Sequence, residues 1–117
     1  AESLLAVPLL KPLIDIPRMA DIAQDMLKAS LDAFVTGDDE LAYATILRDD
    51  SVDQLKDQVF RELLTFMMSD PTTIPRAMDL ILVSRHLERI ADHATNICED
   101  VIFMVKGKDV RHQGPLA

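Results

Sequence analysis

The sequence predicts an all-α fold, an antiparallel three-helix bundle, and three observations carry that prediction. Of the 117 residues, 49% are apolar, yet there is no Trp, only one Tyr, four Phe and three Gly. Leu, Ala, Met, Ile and Val supply the apolar content, a mixture that favours helices over aromatic-rich strands. Proline and glycine sit where helices would begin and end, and the apolar residues between them recur at three- and four-residue spacing.

The first 15 residues, with AESLLAVPLLKPLI, form an apolar lead or truncated connection. Glu2 stands where a secretory leader would carry a basic group, and Pro8 and Pro12 break a stretch already too short to span a bilayer. A first helix is expected from about Ile16 to Thr36, with Asp15 or Ile16 near the cap and Pro17 in its first turn. Met19, Ile22, Met26 and Ala33 give it an apolar stripe, and Asp21, Asp25, Lys28 and Asp32 a wet face. Gly37 is placed as a helix stop.

A second helix is expected from about Asp39 to Ser69, opened by Asp38, Asp39 and Glu40 at the positive end of its dipole. Its wet arc holds Asp50, Gln54, Asp57, Gln58 and Arg61. Asp49 and Asp53 fall off that arc, in line with Ala42, Ile46, Phe60 and Met67, a sector where solvated acids do not belong. Pro71 and Pro75 then flank a break. The third helix is expected from there to about Lys106, with core positions Leu80, Leu87, Ala91, Ala94, Cys98, Val101 and Val105 and with Gly107 as its stop. The bundle thus spans residues 16–107, and residues 108–117 form a loose tail.

Composition excludes several functions. The net charge is -8, with no cluster of Lys and Arg to bind nucleic acid. A single cysteine, Cys98, falls on the apolar arc and reads as a buried, reduced thiol, so cytoplasm is the default compartment. There is no HExxH, no Glu-x-x-His pair, no P-loop and no glycine-rich nucleotide turn. Ser84 has no base arranged to activate it. Nothing argues for an enzyme.

What remains is acidic. In RHLERIADHATNICED, Glu88, Asp92, Asn96 and Glu99 lie within roughly 80° of one another on a helix. By spacing alone Glu88 and Asp92 also fit an ordinary solvated face tied by Arg85 and Arg89. Counting outward from a turn near Pro71 sets Asp53 opposite Arg89 or Ile90 and Asp49 opposite His93 or Ala94, level with Glu88 and Asp92. Two acid pairs, each spaced i,i+4 on its own helix, are what a hard cation would use, and an all-oxygen set suits Mg, Mn, Ca or oxidised Fe over Zn or Cu. His86 and His93 face away from the acids by roughly 100° and read as boundary or surface residues.

LERIADHATNI, followed by an apolar segment, Gly107, Arg111 and His112, resembles the C-terminal signature of the phosphate-uptake regulator family PhoU, as do the upstream DDSVDQL and MSDPTTI. The resemblance covers roughly Ile16 to His112. It implies one three-helix repeat of a family built from two, so the chain reads as a C-terminal half or a PhoU-like domain of a larger protein. It implies a metal site at Asp49, Asp53, Glu88 and Asp92 for an ion of the Fe, Mn or Mg class. Where many relatives carry Gly before the motif aspartate, this chain has Ala91. The role implied is a cytoplasmic regulator that represses the phosphate-starvation response by bridging a phosphate ABC transporter and a membrane sensor histidine kinase, reaching the membrane only through those partners. A homodimer is compatible with it. Alternatives are an accessory domain of a sodium-phosphate cotransporter or other transporter, and a metal-dependent phosphate-handling enzyme, which lacks a nucleophile and base here.

Overall fold

The computed structural model describes residues 10–112, with the side chains of residues 12 and 14–107. Helix α1 spans Leu10–Thr36, α2 spans Asp39–Leu47, α3 spans Asp49–Ser69, and α4 spans Ile74–His112 after a 3-10 turn at Pro71–Thr73. No strand occurs among the described residues. The chain runs up α1, down α2 and α3, and up α4, which packs against all three other helices. This is the expected three-helix bundle, with its middle arm in two pieces.

The connections follow from local chemistry. Gly37 adopts φ 68°, which ends α1 and lets the Asp38 N–H return to the Ala33 carbonyl at 3.0 Å. That is a Schellman closure, and glycine enters it without the Cβ penalty of a left-handed residue. Asp38 then caps α2, its carboxylate accepting from the Leu41 N–H at 3.0 Å. At the other end of the bundle the Asp70 carboxylate accepts from the Thr72 N–H at 3.0 Å and from its hydroxyl at 2.6 Å. Those two bonds hold the Asp70 carboxyl below its usual range. Pro71 takes the first position of the 3-10 turn, where no N–H is needed.

Beyond Pro12 and Asp15, the buried positions on α1 are Ile16, Met19, Ala23, Met26, Ser30 and Ala33, an alternating three-four stripe, with Ile22 half-buried beside it. On α4 they include Ala77, Ser84, Ala91, Ala94, Cys98 and Val101. These are small side chains that let α4 lie close to its neighbours, and the larger Leu80, Leu87 and Val105, expected in the core, are only half-buried at its margin. The core is in two clusters: Ile16 to Met26 with Val52, Val59, Leu63, Ala77, Ala91 and Ala94 below, and Ala33, Ala42, Cys98, Val101 and Ile102 above. Phe60, expected in the apolar sector, is about half exposed. The molecule is only 22 × 16 Å in cross-section, so few large side chains can be enclosed and sites form at its surface.

Three boundaries differ from expectation. Helix α1 begins at Leu10, so Pro12 and Pro17 both lie within it. Pro12 falls in the first turn, where N–H groups have no helical partner, and Pro17 is exposed, so water can serve the carbonyl it leaves free. Asp15 is accordingly a buried residue inside the helix, reached by Gln58 Nε2 of α3 at 3.5 Å, and not a cap. The middle arm breaks at Arg48, where two tight turns, Arg48 N–H to Thr45 O and Ser51 N–H to Arg48 O, replace helical bonds. Finally, α4 runs through Gly107 to His112, because that glycine does not take a positive φ and lies in open space. Residues 1–9 of the lead and 113–117 of the tail lie outside the described residues.

Candidate metal centre

The acids are presented by α3 and α4 at the level of the Arg48 break. That break makes Asp49 and Asp50 first-turn residues of α3, where the helix dipole favours negative charge. Arg48 itself is steadied from α1 by Asp25 at 3.7 Å. Four residues on, Asp53 follows Asp49 on the same strip, next to buried Val52. Across the groove α4 carries Glu88 and Asp92, between buried Ser84, Ala91 and Ala94. Asp49, Asp53 and Glu88 are half-buried, and Asp92 is exposed.

Asp49 and Asp53 feel the neighbouring acids. Burial, then Asp92, Asp50 and Glu88, push the Asp49 carboxyl above its ordinary value. Burial, then Asp49 and Glu88, do the same to Asp53, which also shares a hydrogen-bond contact with Glu88. The pairs Asp49 with Asp92 and Asp53 with Glu88 are symmetric about the turn between Asp70 and Pro71, so counting along the two helices gave their level to within a residue.

Among the described residues one group goes unserved: Asp49 Oδ1 is buried and meets no hydrogen-bond donor. A buried carboxylate oxygen without a donor or cation is costly, by about 1–3 kcal/mol or more for a charged group. The donor set is all oxygen and carries an excess of negative charge, so it fits a hard cation. Among the described residues, no three carboxylate, thiolate or imidazole groups are drawn close enough to share an ion in this arrangement. Instead Lys56 Nζ lies 2.7 Å from Glu88 Oε2.

That contact corrects one expectation. Glu88 is held across the groove by Lys56 of α3, while Arg85, exposed and one turn earlier on α4, lines the same groove without an ion pair to Glu88 among the described residues. Lys56 was not singled out from the sequence, although it follows Asp53 by three residues on the same side of α3, the signal that could have found it. Asn96 and Glu99, grouped with the acids by helical spacing, are exposed further along α4, and neither is among the groups acting on Asp49 or Asp53. His86 and His93 are exposed, as expected. The Ser84 hydroxyl is buried and donates to the Ile81 carbonyl at 2.7 Å, a helix-internal bond.

Comparison with known proteins matches residues 16–101 to the PhoU domain. Curated relatives are phosphate-specific transport system accessory protein PhoU homologs. That of Caulobacter vibrioides is 45% identical over 100 residues, covering 86% of this chain and 44% of the relative. That of Pseudomonas putida is 42% identical over 101 residues, 86% and 40%. That of Aquifex aeolicus is 45% identical over 106 residues, 91% and 48%. The chain thus spans less than half the length of these relatives. A domain match over most of the sequence, carried on the helices that present the acid pairs, shows that the chain belongs to the PhoU family.

Proposed function

We propose that the protein is a PhoU-type accessory and regulatory component of phosphate uptake, in which Asp49, Asp53, Glu88 and Asp92 hold a hard cation of the Fe, Mn or Mg class. The observation that carries the metal reading is the buried, unpartnered Asp49 Oδ1, set beside carboxylates whose charge, with burial, pushes Asp49 and Asp53 above their ordinary values. A bound cation supplies positive charge there. It offsets the repulsion and fixes α3 against α4, so that the surface offered to a partner depends on occupancy.

The relatives, accessory proteins of phosphate-specific transport systems, support the transport role. On this reading the protein works in the cytoplasm, touches the membrane through its partners, and links a phosphate ABC transporter to a sensor histidine kinase, restraining the phosphate-starvation response. No described helix is long and apolar enough to cross a membrane, which agrees with membrane contact through partners. A regulatory role is supported by the relatives, which are accessory proteins of transport systems.

The test is elemental analysis of protein purified without chelator, together with capture of the detergent-solubilised transporter and kinase. The double variant Asp53→Ala, Glu88→Ala is expected to lose both metal and partner capture while keeping its helical circular dichroism. Unchanged metal content and capture in that variant refute the proposal. Phosphatase turnover with added Mn or Fe would replace the regulator with an enzyme.

A further inference from the structure

Lys56 lies seven residues after Asp49 and three after Asp53, within roughly 60° of both on α3. Its ammonium reaches Glu88 Oε2 at 2.7 Å, the length of a strong charge-assisted hydrogen bond. The two side chains are only 31% and 24% exposed, so solvent and salt screen the pair less than they would a surface pair. The same ammonium acts favourably on Asp53. It does not relieve Asp49, on which every neighbouring charge acts in the unfavourable sense. One positive charge therefore serves the Asp53–Glu88 end of the cluster, and none of the charges acting on Asp49 is positive.

Lys56 also has somewhere else to go. It lines an open cleft of about 410 Å³ between α3 and α4, walled by Phe60, Ile81 and Ser84, with Arg85 also in its lining, so a displaced ammonium has to settle on the Asp57 side, away from that guanidinium. Asp57 is on the rim of that cleft and already attracts the ammonium. A four-carbon stem with a flexible head can swing between two acceptors in such a space at little cost.

We propose that Lys56 is a tethered competitor for the cation: its ammonium occupies Glu88 and Asp53 when no ion is present, and an incoming ion displaces it toward Asp57. The side chain thereby sets the affinity of the site and favours multivalent ions, since a monovalent ion brings no more charge than the group it must expel. This inference rests on the metal reading of the four acids.

The experiment is calorimetric titration of Mn²⁺ into chelator-stripped protein and into Lys56→Met, which keeps the length of the side chain without its charge. The variant is expected to bind Mn²⁺ about fivefold tighter or better, the gain matching an ion pair at the upper end of the partly exposed range. In chelator its melting temperature should fall below that of the parent protein, because Glu88 and Asp53 lose their counter-charge, and Mn²⁺ should reverse the order. Lys56→Gln, which can still donate to Glu88, should show the same direction and serves if Lys56→Met folds poorly. Binding by the variant alone also supports the proposal. If parent and variants bind equally, or the variants bind more weakly, the competitor is refuted and the metal site stands. If none binds, both fall.

Discussion

Replacing Asp53 by Asn removes one charge from the acid layer without changing shape, and the structure gives the sign and size of the effect. Asp53 is repelled by Asp49 one turn earlier and by Glu88 across the groove, and Lys56 offsets part of this. Two carboxylates about 6 Å apart repel by about 3 kcal/mol at an effective dielectric near 20. These side chains are partly solvated, which discounts the pair strongly, and spaced like charges on helices show a few tenths. With Lys56 returning some of the rest, Asp53→Asn should stabilise the ion-free protein by about 1 kcal/mol. For a chain of this length that is about 4 °C in melting temperature.

The assay is thermal unfolding followed by circular dichroism, in chelator at low ionic strength and again with Mn²⁺. A ligand at 100 times its dissociation constant stabilises by about 2.7 kcal/mol, and that gain should be seen in the parent and lost or much reduced in Asp53→Asn. The order of stability therefore inverts between the two conditions, and added salt should shrink the difference seen in chelator. A variant less stable than the parent in chelator would falsify the claim that the acids repel one another in the folded state.

Other outcomes follow from single residues. Gly37→Ala should destabilise by about 1–2 kcal/mol in urea unfolding, since nothing blocks the added Cβ and only the positive φ opposes it. Asp70 has a depressed pKa, so its contribution to stability is complete above the ordinary carboxylate range and is lost as the pH falls through the lower folded value. An acid titration of stability should show this loss in the parent and not in Asp70→Asn. Cys98 is buried and its thiol is pushed up by that burial, so Ellman's reagent should label it at the rate of unfolding; immediate reaction in native protein would contradict its placement.

The acids were legible because their level depends on little beyond helical rise. Asp49 and Asp53 lie on the near side of the Arg48 break, so counting back from the Asp70 turn never crossed it. The break itself carries no proline or glycine. It arises where α2 packs in the upper core and α3 in the lower, and no local signal at Arg48 announces that division. Gly107 misled in the opposite direction, since a glycine stops a helix only when the chain needs a left-handed residue there.

By itself the sequence determined helical class, the turns at Gly37 and near Pro71, the stripe on α1 and the family, all of which depend on residues near one another along the chain. Tertiary structure alone decided which side chains meet. The pairing of Lys56 with Glu88, the burial of Asp15 and the unserved Asp49 Oδ1 depend on how α1, α3 and α4 are rotated about their axes. That rotation is fixed by packing of the whole core around small residues such as Ala77, Ala91 and Ala94, and one helix's periodicity carries no record of it.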